Sequence, residues 1–293
     1  MPWYAIALGS ALTAGLFQIV EKKVLLKEHS LFFLVTSSFL MLLFSLPMIP
    51  AGFVGALSSI MLVYILIKCT FAVALFVLCA KTIKHMDISE FGPLMNLSPL
   101  VLLVPATLFL GEKLTVMNFM GILLIVGGAY VVELKDGWKT PLRRAAKDKY
   151  VHYIFWSAIF VALAASMDKF ILAKSVEIDV NTFFFYNRLF IALLLLGAYF
   201  IFRDKKLKDS LPVTFKRSFW WILIASILFM ATDYVYFSAV AVPIAMVALV
   251  IPLKRMSTLI MTVFGGEMFK EDNLVRKTVA CLIMIAGAAL IVI

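Results

Sequence analysis

PIAMVALVIPLKRMSTLIMTVFGG, residues 243–266, is long enough to cross a lipid bilayer as a helix, yet it carries Lys254 and Arg255 side by side at its centre. A Lys or Arg at the centre of a membrane helix costs about 2.5 to 3.5 kcal/mol, so the pair costs about 5 to 7 kcal/mol before compensation. Such residues normally face a bundle interior or an aqueous cavity. The pair therefore predicts a polar site inside a helical membrane protein.

The composition of the whole chain agrees with this prediction. Of the 293 residues, 63% are hydrophobic and only 15% are charged, and the mean hydropathy is +1.04. This is far from the balance of a soluble domain. Apolar runs of about 20 residues recur along the entire length, and the strict alternation of a membrane β-barrel is absent. We therefore expect an all-α, polytopic membrane protein.

The apolar runs predict ten transmembrane helices. Their expected bounds are 3–21, 31–50, 59–80, 88–110, 115–133, 151–172, 182–202, 219–239, 243–265 and 275–293. The connections are short except for 134–150 and 203–218, both of which are rich in Lys and Arg and are expected to be solvated.

The two halves of the chain resemble each other. SALTAGLFQIVEKKVLLK (10–27) aligns with SAIFVALAASMDKFILAK (157–174), and FLGEKL around Glu112 matches FGGEMF around Glu267. The repeated unit has five helices, and an odd number of spans inserts the second copy upside down, as in many secondary transporters. We expect a first repeat over 1–133, a basic connecting loop over 134–150 and a second, inverted repeat over 151–293. A substrate site is expected near the membrane midplane, between the halves.

Interrupted helices point to the same place. The fourth expected span contains Pro93, Pro99 and Pro105, and its partner in the second half, the ninth span, contains Pro243 and Pro252. Proline inside a helix frees a carbonyl and kinks the rod. Broken helices at equivalent places in two repeats favour a transporter site, although prolines that simply bend packed spans remain an alternative.

This arrangement resembles the EamA branch of the drug/metabolite transporter superfamily. The resemblance covers essentially the whole chain: ten spans as a five-plus-five repeat, with each half closing in a Gly-Glu step, Gly111-Glu112 and Gly266-Glu267, before a glycine-containing apolar helix. FFFYNRLF (183–190) is similar to a segment of nucleotide-sugar transporters, with Arg188 in place of an Asn. PLKRMST (252–258) is similar to the segment that binds phosphate in plastid sugar-phosphate translocators, which also place a tyrosine near the position of Tyr236.

The orientation in the membrane stays open at this point. Most Lys and Arg residues of the connections lie on one side, and the positive-inside rule then places both termini outside. The family resemblance implies instead that both termini are cytoplasmic.

The charged and polar residues inside the spans form the candidate substrate site. The intramembrane cations exceed the carboxylates, which favours an anionic or zwitterionic ligand. Asp233 has two interpretations, as a counter-ion of Lys254 or Arg255 and as a proton carrier. Lys68 alternatively snorkels to the interface, and buried Tyr and Asn residues alternatively serve helix packing. The expected substrate-binding residues are Lys254, Arg255, Asp233, Tyr236, Arg188, Asn187, Tyr186, Lys68, Asn96 and Tyr234.

Other functional classes lack support. There is no G-x-x-x-x-G-K-[ST] motif for a nucleotide, no H-E-x-x-H and no nucleophile with a base, so we expect no cofactor, no metal and no catalytic residues. Three cysteines lie in apolar runs without metal-ligand spacing. The net charge of +10 lies mostly in loops beside spans, so nucleic-acid binding is not expected.

The leading hypothesis is therefore a secondary carrier, not an enzyme. It would move a small anionic or zwitterionic metabolite, such as an amino acid, an organic acid or a phosphorylated metabolite, by alternating access through a cavity lined by the third, fourth, eighth and ninth spans. A lipid-phosphate flippase is the alternative. Expected partners are the substrate, the lipid bilayer and a coupling proton or counter-substrate, in a monomer or homodimer of the plasma membrane.

Overall fold

The protein folds into helices throughout the part of the chain that the computed structural model describes, residues 2–25, 28–49, 57–85, 95–133, 149–175, 178–202, 205–257 and 274–292. These ranges hold ten α-helices and no β-strand. The helices are α1 (Trp3–Leu25), α2 (Ser30–Ser45), α3 (Ser59–His85), α4 (Ser98–Leu108), α5 (Val116–Glu133), α6 (Lys149–Lys169), α7 (Val180–Phe202), α8 (Lys205–Ala241), α9 (Val247–Lys254) and α10 (Leu274–Val292).

Six of these helices are long and apolar enough to cross a membrane. The six candidate spans are Trp3–Leu25, Ser30–Met48, Ser59–Cys79, Lys149–Ala173, Val180–Ile201 and Ser218–Ala241. Shorter apolar helices cover Ser98–Leu108, Val116–Val131 and Leu282–Val292. The chain is thus an all-helical, multi-pass membrane protein.

Two predicted boundaries were wrong. The connection expected over 203–218 is helical from Lys205 onward, because α8 continues through it as one rod. The ninth helix begins at Val247 and not at residue 243, since a turn precedes it in which the Ala245 N–H bonds to the Val242 carbonyl at 3.0 Å. Pro243 has no N–H to donate and biases the residue before it away from helical geometry. The early part of the fourth span with Pro93, the loop 134–148 and the segment containing Gly266 and Glu267 lie outside the described residues.

Most helix packing joins one half of the sequence to the other. α1 packs on α8, α2 on α7 and on α8, α3 on α6 and on α7, α4 on α6 and on α9, and α5 on α10. Large aromatic and aliphatic side chains fill the space between these pairs, among them Ile65, Leu102, Phe183, Phe184 and Phe237, all nearly inaccessible to solvent. The centre of the molecule therefore lies between the two halves.

The contact between α5 and α10 is made backbone to backbone. A Cβ atom added to Gly121 would lie 2.7 Å from the carbonyl oxygen of Gly287, and one added to Gly287 would lie 2.7 Å from the carbonyl oxygen of Gly121. Only glycine permits this approach, as in other tightly packed membrane helices.

Candidate functional site

Five ionisable side chains meet between the two halves. They are contributed by five helices, and we call them the central charge cluster: Lys68 of α3, Asp168 of α6, Arg188 of α7, Asp233 of α8 and Lys254 of α9. In a mostly apolar chain such residues are stable only when they compensate one another. The cluster has two parts, one around Asp233 and one around Asp168.

Asp233 binds two cations. Its Oδ2 accepts a hydrogen bond from Nη2 of Arg188 at 2.7 Å, and its Oδ1 accepts one from Nζ of Lys254 at 3.5 Å. The Arg188 side chain is 1% exposed, whereas the side chains of Asp233 and Lys254 are 16% and 25% exposed. Arg188 is therefore the buried, tightly held partner. Lys254 is the loosely held, accessible one.

Asp168 forms the second part with Lys68. Nζ of Lys68 lies 3.0 Å from Oδ1 of Asp168, and both side chains are 5% exposed. The same ammonium donates a hydrogen bond to Oδ1 of Asn187 at 2.8 Å, and Sγ of Cys69 lies 3.2 Å from that oxygen. The alternative that Lys68 snorkels to the interface is wrong, because its charge is compensated inside the bundle.

Tyr236 links the two parts of the cluster. Its O–H donates to Oδ2 of Asp168 over 3.4 Å, a long hydrogen bond. Its ring lies under Lys254, with 4.5 Å between Nζ and the ring centroid, within the range of cation–π attraction. The side chain of Tyr236 therefore separates Asp168 from Lys254 and contacts both.

Aromatic rings surround the other two cations. Nζ of Lys68 lies 4.9 Å from the ring centroid of Phe237 and 5.5 Å from that of Phe183. Cζ of Arg188 lies 4.6 Å from the ring centroid of Phe184. Each cation of the cluster thus has both a carboxylate and a π-face near it, which is how a mostly apolar interior keeps charges without water.

Two predicted site residues on or near the broken helices face other partners. Nη2 of Arg255 donates to Oγ of Ser98 at the start of α4, 2.7 Å away. Nδ2 of Asn96 donates to the carbonyl oxygen of Ala129 in α5 at 3.4 Å. Arg255 therefore joins α9 to α4 beside the cluster, while Asn96 serves the packing of the first half.

Two predicted tyrosines lie outside the cluster. The O–H of Tyr234 donates to Oδ1 of Asn181 at 2.9 Å. The ring of Tyr186 packs against Phe185 and Phe190, with centroids 5.4 and 6.3 Å apart. The rings of Tyr234 and Phe184 pack in a T-shaped arrangement, and Phe184 is the ring that contacts Arg188. Tyr234 therefore contacts the cluster only through Phe184.

Asp168 is a cluster residue that sequence reasoning missed. It lies near the end of an expected span and is absent from the expected substrate-binding residues, but it is 3% exposed and paired with Lys68. The available signal was the match between Glu21-Lys22 and Asp168-Lys169 in the two repeats. Helix α6 passes into a π-helical segment, Phe170–Ser175, directly after this pair. π-Helical turns are frequent at functional sites.

The connection between α8 and α9 is held by two charged side chains of opposite sign. Lys169, 2% exposed, donates from Nζ to the carbonyls of Val240 at 3.0 Å and Val242 at 2.7 Å. Glu112, 8% exposed, accepts from the N–H groups of Val247 at 2.7 Å and Ala248 at 3.0 Å. A cation at the end of α8 and an anion at the start of α9 both match the helix dipoles.

The cluster offers no metal site within the ranges that the structure describes. No group of three His, Cys, Asp or Glu side chains is placed there to hold a metal ion. Both carboxylates of the cluster are bound by Lys or Arg instead.

Comparison with known proteins agrees with the fold and finds a family model that matches the first half of the chain. One solved crystal structure has the same fold, with a TM-score of 0.74 and 14% sequence identity over 98% of this chain and 95% of its own. No curated protein sequence matches the chain. Residues 1–134 match the model of the EamA-like transporter family, which confirms the resemblance seen in the sequence. Residues 1–134 are thus similar to the EamA-like transporter family, and the chain has the apolar helices of an integral, multi-pass membrane protein.

Proposed function

We propose that the protein is a secondary carrier, driven without ATP, that moves a small anionic or zwitterionic metabolite by alternating access. Amino acids, organic acids and phosphorylated metabolites are the substrate classes that fit. The proposed binding site is the exposed side of the central charge cluster, with Lys254 as the main anion-binding group and Asp233 and Tyr236 beside it.

The accessibility of Lys254 carries this proposal. Asp233 is already paired with Arg188 at 2.7 Å, so the more distant Lys254, at 3.5 Å and 25% exposed, is only partly neutralised. The cluster has three cations and two carboxylates, a formal charge of +1. A ligand carboxylate or phosphate near Lys254 would balance that charge. The ammonium group of a zwitterion would find the partly exposed carboxylate of Asp233.

Arg255 and Ser98 extend the site toward α4. Arg255 follows Lys254 directly and lies against Ser98 of the first half, 2.7 Å away. A guanidinium offers a planar pair of donors that suits carboxylate or phosphate oxygens. We place it at the edge of the substrate site, where it joins the two halves.

The packing of the helices supports alternating access between two inverted repeats. If α1–α5 correspond to α6–α10, the packing of α1 on α8 corresponds to that of α6 on α3, and α1 on α9 corresponds to α6 on α4. In the remaining contacts, α2 with α7, α4 with α9 and α5 with α10, each helix packs against its own equivalent in the other repeat. This symmetry favours ten spans in two units, 1–133 and 151–293, joined by 134–150. Rocking of one unit against the other would expose a central site alternately.

A binding screen followed by transport tests the proposal. Purified protein is heated with L-amino acids, organic acids or phosphorylated metabolites, because a ligand that binds the folded state raises its apparent stability. A compound that shifts the melting temperature is then supplied, radiolabelled, to proteoliposomes. Lys254→Ala should abolish uptake and the thermal shift, whereas Lys113→Ala, the same change at an exposed turn, should alter neither. Uptake by Lys254→Ala at the wild-type rate would refute the assignment. Shifts and transport seen only with phospholipids would favour a lipid-phosphate flippase.

We also propose a plasma-membrane location, and the orientation needs its own test. A single cysteine added after Ile293 is treated in intact cells with a membrane-impermeant maleimide. Labelling without permeabilisation means an external C-terminus, as the basic connections suggest. Labelling only after permeabilisation means a cytoplasmic one, as the family resemblance suggests.

A further inference from the structure

We infer that the ion pair of Lys68 and Asp168 is a proton-binding site that couples substrate movement to a proton. The inference rests on the proposed carrier function. It adds the identity of the coupling ion, the residue that binds it and whether ion and substrate move in the same direction. The substrate would bind at Lys254, and the proton would bind at Asp168.

The geometry of Asp168 leaves room for a proton. Its Oδ1 lies 3.0 Å from Nζ of Lys68 but without the angles of a hydrogen bond, and no other group among the described residues donates to it. Its Oδ2 receives only the long bond from Tyr236. A buried carboxylate remains ionised only while cations and hydrogen bonds compensate it. In the described part of the chain Asp168 is paired with one cation, Lys68, and receives one weak hydrogen bond, so Oδ1 is the atom at which a proton binds.

Lys68 keeps its own charge when Asp168 is protonated. Its ammonium already donates to Oδ1 of Asn187 at 2.8 Å and lies near the rings of Phe237 and Phe183. These partners remain after the carboxylate is neutralised. In the step itself a hydronium ion of the aqueous phase loses its proton and becomes water, an O–H bond forms at Oδ1 of Asp168, and no N–H bond of Lys68 breaks.

Proton binding then favours anion binding. The cluster's formal charge rises from +1, given by three cations and two carboxylates, to +2 when Asp168 takes up a proton. The added charge lies one tyrosine side chain from Lys254, because Tyr236 contacts both residues. A monoanion at Lys254 returns the charge to +1. Proton and anion therefore bind together and cross together, as a symport.

The helices packed around Asp168 carry few groups that could take the proton in its place. α4, in its described part Ser98–Leu108, has no titratable side chain. On α6 itself, the ammonium of Lys169 is directed to backbone carbonyls. The titratable and charged groups near Asp168 on the other helices are Lys68 and Cys69 of α3, Asp233 and Tyr236 of α8, and Lys254 of α9, whereas Arg188 of α7 is paired with Asp233. Asp233 is already held by two cations, so Asp168 is the carboxylate that takes the proton.

The first test observes the proton without any substrate. Infrared difference spectra of the full-length protein between alkaline and acidic pH should show a protonated carboxylic acid band. One component of this band should vanish in Asp168→Asn and remain in Asp179→Asn, the same change at an exposed helix cap. A difference band left unchanged by Asp168→Asn overturns the inference. Because Asp168→Asn leaves Lys68 unpaired, Lys68→Gln with Asp168→Asn serves as a second variant that removes both charges.

The second test measures coupling in proteoliposomes with radiolabelled L-glutamate, L-malate and inorganic phosphate as probes. For one proton per monoanion, an inward gradient of one pH unit should raise accumulation of a transported probe by up to about tenfold. Asp168→Asn and the double variant should lose this rise while still exchanging the probe at a reduced rate. Gradient-driven accumulation that survives in both variants overturns the inference. If no probe is moved by wild-type protein, the carrier proposal fails for these compounds, and the infrared result alone decides the proton site.

Discussion

The carboxylate of Glu112 accepts a hydrogen bond from the backbone N–H of Val247, with 2.7 Å between the two atoms. Glu112 follows α4 in the first half of the chain, whereas Val247 begins the helix that carries Lys254. The first N–H groups of a helix have no partner within the helix and form its positive end. The start of α9 is therefore capped by a side chain from the opposite half.

This cap predicts a stability difference between two substitutions of Glu112. Glu112→Ala should lower the free energy of unfolding by about 1 to 2 kcal/mol, since it removes both acceptors and the negative charge. Glu112→Gln should lower it less, because one oxygen can still accept. Thermal unfolding in detergent measures both, with Lys113→Ala in the same turn as the control. Equal stability of Glu112→Ala and wild type would contradict the role given to the cap.

The glycine contact between α5 and α10 predicts opposite results for two glycines of one helix. A Cβ on Gly121 meets the carbonyl oxygen of Gly287 at 2.7 Å, whereas a Cβ on Gly127 meets nothing within 4 Å. Gly121→Ala should destabilise the protein by about 1 to 3 kcal/mol through overpacking. Gly127→Ala should be neutral or stabilise it by up to about 1 kcal/mol. If thermal unfolding places both variants at the same midpoint, the close approach is wrong.

The pair of Arg188 and Asp233 predicts strong coupling in a double-mutant cycle. Arg188→Ala leaves Asp233 with only the distant Lys254 and should lower stability by about 3 to 5 kcal/mol. Removing Asp233 as well should recover part of that loss, because no uncompensated carboxylate remains. Thermal unfolding of the two single variants and the double variant gives the coupling energy. Additive losses would mean that the two side chains do not interact.

The two contacts of Tyr236 predict separable effects. Tyr236→Phe retains the ring beneath Lys254 and loses only the long bond to Asp168, so stability should fall by about 1 kcal/mol or less. Tyr236→Leu also removes the π-face and should weaken binding of an anionic compound through the altered position of Lys254. Isothermal titration with a compound found in the thermal screen compares the variants. Equal affinities for the Phe and Leu variants would show that the ring of Tyr236 does not contribute to ligand binding.

The sequence was sufficient to find the residues of one part of the cluster. Lys254 and Asp233 were singled out because charges inside apolar runs are rare and need partners, and the structure pairs them. Their third partner, Arg188, was a candidate without an assigned counter-ion. Arg188 and Asp233 are 45 positions apart on different helices, and no local pattern determines such a contact.

Asp168 could not be placed from the sequence for a related reason. Its position near the end of an apolar run resembles that of a residue at the membrane surface. Its burial arises from neighbours remote in sequence, since Lys68 lies on α3 and Tyr236 on α8. The start of α9 was also misplaced, because hydropathy does not distinguish an apolar turn around Pro243 from the helix that follows it.

The glycine contact between α5 and α10 has a mechanical consequence for a carrier whose halves rotate. Where side chains interlock, a rotation must move each of them to a new rotamer, so the interface passes from one discrete arrangement to another. At Gly121 and Gly287 the backbones touch with no side chain between them. In the carrier that we propose, this contact would act as the pivot, with the side chains of Leu124 and Ile291 beside it. The two halves would turn about it, and the central charge cluster would open first to one side of the membrane and then to the other.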